Sequence, residues 1–191
     1  PTQSPENFAK NTGHQMTFNA TMDVAAAKEL LTNTIAASRT LGVNADKVPV
    51  WEKMLAKMPE YMINGEGAIK EWLTPRLEDD YNHRHSSQLY ALFDGLPDEI
   101  ARSPKLRAAF KRLIELKLER HWTNWEKQSG FMSFGLVQLG QAATSLREAD
   151  LAYRCLVPLI NRYWYNSLAS THNAKKLFNM DISGGMPAVL I

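Results

Sequence analysis

The chain has 191 residues, enough for one ordinary domain, and carries a net charge of +2 with no basic run, so nothing in it is built to track a phosphate backbone and nucleic acid is excluded as a partner. No stretch reaches the roughly 18 apolar residues of a membrane span, and no basic-then-apolar leader opens the chain. A single cysteine, Cys155, rules out an intrachain disulfide framework.

Residues 1–20 are polar and read as irregular, with Pro1, Pro5 and Gly13. From Thr21 the pattern turns helical: Asp23 stands at the start and Ala27, Leu30, Leu31, Ile35 and Leu41 recur at helical spacing up to Gly42. A second helix is expected over 50–58, with Trp51, Met54, Leu55 and Met58 as one stripe before Pro59. Residues 61–73 predict a small β-hairpin turning at Asn64-Gly65-Glu66-Gly67 and hanging beside the helices, outside their core. A helix over 86–93 stops at Asp94-Gly95. Ser103-Pro104 caps and opens a helix to about Trp122, with Leu106, Phe110, Leu113, Ile114 and Leu118 inward and Lys and Arg outward. Residues 130–145 predict a largely buried helix, and 147–164 another, kinked at Pro158. Residues 183–187 read as a loop leading into a last helix. The class is therefore all-α, with six or seven helices and one hairpin. The start at Pro1 and the stop inside the apolar run 186–191 read as cuts from a longer protein.

Three stretches carry chemistry. Asn82-His83-Arg84-His85-Ser86-Ser87-Gln88-Leu89-Tyr90 packs two imidazoles and a guanidinium into three residues at a helix entry, where polar heads face whatever covers the helix end. The plainer alternative is a surface turn rich in His. The spacing of His83 and His85 suits a loop, and no Cys pair or acidic partner at ligand spacing accompanies them, so no metal and no cofactor is expected. Glu6 is fixed between Pro5 and Asn7, as a general acid would need, although a surface loop Glu reads the same way. Asp181 is an isolated acid between Met180 and Ile182 ahead of Gly184-Gly185, either a functional carboxylate or a helix-start acid. Aromatic residues at Trp72, at 121–125 and at 163–165 could stack on sugar rings or simply fill the core.

Taken in order, Ser4-Pro5-Glu6-Asn7, Thr21-Met22-Asp23, Gly67 through Glu71-Trp72-Leu73, His83-Arg84-His85-Ser86-Ser87-Gln88-Leu89-Tyr90, Ser129-Gly130-Phe131-Met132-Ser133 and Asp181-Ile182-Ser183-Gly184-Gly185 resemble glycoside hydrolase family 95, a family of α-L-fucosidases and α-L-galactosidases. The resemblance spans nearly the whole chain. It implies the second half of an (α/α)6 barrel, with the rest of the catalytic domain upstream and a short piece downstream. It further implies an inverting hydrolase acting on an oligosaccharide or polysaccharide and working outside the cytoplasm, in the periplasm or secreted.

By the same resemblance, Glu6 stands at the general acid and Asp181 at the carboxylate that polarises asparagine-held water. Arg84, His85 and His83 stand at sugar contacts, and Glu71, Trp72 and Asp23, which lie in matching motifs, are expected with them among the substrate-binding residues. The asparagines belong to the upstream half, so the chain alone is expected to be inactive and to self-associate through open barrel flanks. Three departures bear on the sugar: Gln88 where a His is common, Phe131 where a Trp is common, and Ile182-Ser183-Gly184-Gly185 where many members have Gly-Asn-Phe-Gly. Two other readings stand beside this one, a disaccharide phosphorylase on the same barrel and a non-catalytic helical carbohydrate-binding or interaction module.

Overall fold

The computed structural model describes residues 2–3, 7–14, 16–123, 132–174 and 176–191. The all-α class holds. Among the described residues the chain forms α1 (Thr21–Leu41), α2 (Val48–Leu55), a 3-10 helix (Ser87–Leu92), α3 (Asp98–Ala101), α4 (Pro104–Thr123), α5 (Ser133–Ser145), α6 (Ala149–Tyr163) and α7 (Asp181–Leu190). The first twenty residues are not wholly irregular, since β1 (Thr2–Gln3) pairs antiparallel with β2 (Met16–Thr17). Consecutive helices pair, α1 with α2 and α5 with α6, and α5 also packs along α7. This is the paired-helix habit expected of part of an (α/α)6 barrel. No described helix is long and apolar enough to cross a membrane.

The main core gathers Phe110, Leu113, Ile114 and Leu118 of α4, Leu136 and Leu139 of α5, Cys155 and Leu159 of α6, and Ile182 and Val189 of α7. Each such side chain contributes about 1.5–3 kcal/mol by leaving water. The helical spacing of the α4 residues is what puts them on one face. Pro104 opens that helix as expected, and Ser103 Oγ accepts from Leu106 N at 3.2 Å. Pro158 lies inside α6 without ending it.

Four expectations are corrected. Residues 61–73 do turn back on themselves, through an isolated antiparallel bridge between Ile63 and Ile69. They do not hang outside: Ala68 and Ile69 are buried in the main core, and Ile69 N donates to Ala109 O of α4. The stripe of α2 is half in water, with Met54 exposed and Val48 the buried residue of the helix. The expected α-helix over 86–93 is a 3-10 helix over 87–92 that no side chain caps: the Ser87 hydroxyl is turned to Glu71, and Ser86 is held by its backbone N–H on Gln138 Oε1. Residues 183–187 are helical, since α7 begins at Asp181 and runs through the glycine pair.

Candidate active site

Helix α4 builds the floor of the His-Arg-His loop. Lys117 lies on its inner stripe, three and four residues from Ile114 and Leu113, and is fully buried. Its ammonium donates to His83 O at 3.1 Å and His85 O at 2.7 Å, bracing the backbone on both sides of Arg84. Burial holds this lysine down to about 8, against the pull of the Glu71 and Asp80 carboxylates. The expectation that every Lys of α4 points outward therefore fails at Lys117. From the other side Glu71, also buried, accepts from Ser87 Oγ, and its own N–H donates to Asp79 Oδ1 at 2.7 Å. Asp79 in turn receives Asn64 Nδ2 at 2.8 Å and the buried Lys70 ammonium at 3.4 Å.

On this floor the loop has little freedom. Asn82 N donates to Asp80 Oδ1 at 3.0 Å, His85 N to His83 Nδ1 at 3.2 Å, and Ser86 N to Gln138 Oε1 of α5 at 3.0 Å. The two imidazoles stack, with centroids 5.1 Å apart. Burial, then the charges of His85 and Lys117, hold His83 down to about 4; burial, then Arg84 and Lys117, lower His85. Near neutral pH both rings are therefore uncharged, and an uncharged imidazole offers one donor and one acceptor, as a sugar hydroxyl does.

Beside this loop opens a cleft of about 430 Å³, lined by Phe134, Val137, Gln138 and Gln141 of α5 and by Asp181, Gly184 and Gly185 of α7. A row of rings crosses toward it. His85 lies 5.0 Å from Phe134, and Phe134 stacks on His172 at 5.4 Å. His172 Nδ1 is 3.2 Å from Asn179 Nδ2, and that amide donates to Asp181 Oδ2 at 2.8 Å. Asn179 Oδ1 also accepts from Asp181 N at 2.9 Å. The row thus joins the His-Arg-His loop to the exposed carboxylate that begins α7. A carboxylate at a helix start is favoured there by the N-terminal end of the helix dipole, and this one also faces the cleft.

The other singled-out residues lie as follows. Arg84 is half-buried in the same loop. Glu71 is beneath it, while Trp72 is wholly buried in a satellite cluster with Ala9, Ala20 and Leu77. Asp23 is exposed in the first turn of α1. Glu6 lies outside the described residues, as do 129–131 of the Ser129–Ser133 motif. Gln88 is buried behind the loop. Among the described residues there is no group of three or more His, Cys, Asp or Glu able to hold a metal. Sequence reasoning did not single out Phe134, Gln138, His172 or Asn179. For Lys117 a signal existed in the helical stripe that runs Phe110, Leu113, Ile114, Lys117, Leu118.

The glycosyl hydrolase family 95 catalytic domain model matches residues 1–191. Among curated proteins the chain is similar to "Alpha-L-fucosidase 2" of Arabidopsis thaliana, at 31% identity over 135 residues, a match that covers 66% of this chain and 16% of that protein. The chain thus spans a small part of the length of that relative. With the family model running from the first residue to the last, the chain belongs to glycosyl hydrolase family 95.

Proposed function

We propose that the protein to which this chain belongs is an inverting glycoside hydrolase that releases terminal α-L-fucose or α-L-galactose from glycans. In this reading Glu6 protonates the departing glycosidic oxygen and Asp181 helps activate the attacking water from the opposite face of the sugar. Inversion requires two such groups with room for water between them. Arg84, His85 and His83 hold the sugar hydroxyls. Glu71 acts from beneath through Ser87, and Trp72 and Asp23 belong to the surrounding frame.

The observation that carries this reading is Asp181 at the edge of an open cleft, fixed by Asn179 and joined by a row of rings to the uncharged His85. Family membership and the fucosidase relative support the substrate class. The test is proton NMR of the full-length enzyme acting on α-fucosyl and α-L-galactosyl substrates, alone and as Asp181→Asn. The β-anomer is expected to appear first, and Asp181→Asn is expected to lower kcat by about 10²–10⁴-fold, the usual scale for a general acid or base. First appearance of the α-anomer, or an Asp181→Asn enzyme within twofold of the parent, contradicts the reading.

A further inference from the structure

We infer that Asn179 and His172 form a positioning pair for the Asp181 carboxylate: the Asn179 amide orients Asp181, and His172 Nδ1 orients the amide. This rests on the reading of Asp181 given above. The donors and acceptors leave one consistent arrangement. Asn179 Oδ1 is taken by Asp181 N, so the amide cannot flip without losing that bond. Its Nδ2 then faces two groups, Asp181 Oδ2 at 2.8 Å and His172 Nδ1 at 3.2 Å. An NH2 group has two hydrogens and donates both. His172 Nδ1 is therefore the acceptor of the second Asn179 hydrogen.

The pair is itself held on all sides. His172 N donates to Leu177 O at 2.7 Å, and His172 O accepts from Ser133 N at 3.1 Å, tying the backbone at His172 to the start of α5. Asn179 N donates to Ser170 O at 3.1 Å, and Ser170 Oγ bonds both Asn179 O and Ser183 Oγ, the latter at 2.8 Å. An isolated antiparallel bridge joins Thr171 to Phe178. The His172 ring lies flat on Phe134, 19° from parallel. A loop fastened this often can transmit one geometry to the carboxylate, and a misplacement of about 1 Å at a reacting group can cost about 10²-fold in rate.

The experiment uses the full-length enzyme and measures kcat and KM on an α-fucosyl substrate for Asp181→Asn, Asn179→Leu, His172→Leu and His172→Asn. The last variant returns an acceptor oxygen close to where Nδ1 stood. Expected are losses of kcat of about 10–100-fold for Asn179→Leu and His172→Leu with KM within about twofold, and recovery of most of that loss in His172→Asn. A crystal structure of His172→Leu should show the Asp181 carboxylate turned away from its parent position. His172→Leu with parent kcat, an effect confined to KM, a His172→Asn enzyme no better than His172→Leu, or an unmoved carboxylate overturns the inference while leaving the role of Asp181 standing. An Asp181→Asn enzyme with parent activity removes that role as well, so the two failures are told apart. Should His172→Leu not fold, the kcat-to-KM split of Asn179→Leu decides.

Discussion

Lys117 shows how much a single residue can be asked to hold. Its charge is out of water, and burial holds it down to about 8 where an ordinary lysine titrates at 10.5. Between those values the folded chain binds fewer protons than the unfolded one, so stability rises with pH through that window and falls again as pH drops through 8. Over the whole interval the change is about 3 kcal/mol. Urea unfolding at pH 7.5 and at pH 10 is expected to show this rise in the parent chain and lose most of it in Lys117→Met. Burial pushes the Tyr61 and Tyr81 phenols up, but both proteins share that slope and it cancels in the difference. Parallel pH curves for the two proteins would contradict a charged, buried Lys117.

At this scale the sequence was partly legible. His83, Arg84, His85 and Asp181 stand out as polar heads at helix starts. Lys117 was readable from its place on an apolar stripe, but a lysine's expected exposure outweighed the period. Asn179 stands two residues before Asp181 and bonds it locally, whereas His172 carries no local signal, because its pairing with Asn179 depends on a loop folded back through the Thr171–Phe178 bridge.

The contact between α5 and α7 is set by two glycines. A Cβ on Gly140 would stand 2.9 and 3.0 Å from the Val189 methyl carbons, and one on Gly185 would run into the Val137 side chain. At Gly185 a change of Val137 rotamer gives no full relief, since Val137 Cβ itself would be 3.3 Å away. Gly184 has nothing within 4 Å of the same construction. Alanine is favoured over glycine within a helix by about 0.5–1 kcal/mol, so Gly184→Ala is expected to stabilise by that amount. Gly185→Ala is expected to destabilise by about 1–3 kcal/mol through overpacking. Urea midpoints of the two variants check this, and a Gly185→Ala protein as stable as Gly184→Ala would contradict it. Because Gly184 and Gly185 line the cleft with Asp181, the close fit of these helices also sets where that carboxylate stands.

Element reading from sequence went wrong here for the same reason. A glycine pair is ordinarily a breaker, yet both lie inside α7; the approach of Val137 accounts for the missing Cβ at Gly185, and Gly184 has no such neighbour. The segment 61–73 was likewise misplaced: Ile63 and Ile69 signalled a turn-back correctly, but nothing local says that Ala68 and Ile69 insert against Ala109 and Phe110. By contrast α4 was legible almost to the residue, because Ser103-Pro104 and a strict apolar period agree.

On the scale of the molecule, α4 braces the His-Arg-His loop, the start of α7 lines the cleft, and Phe134 of α5 touches both the loop and the cleft. The class could be read from helical periodicity. The barrel could not, since closure of hairpins into a ring is a relation between distant elements, and it entered through ordered motifs instead. We propose that two acids from opposite ends of this chain serve one sugar. The most direct measurement is a crystal structure of the full-length enzyme with a bound fucosyl or L-galactosyl ligand. It is expected to place the Glu6 and Asp181 carboxyls about 6.5–9.5 Å apart across the glycosidic bond, with Arg84 and His85 on the sugar hydroxyls. Carboxyls tens of ångströms apart, or a sugar seated away from the cleft of Phe134 and Asp181, would contradict it.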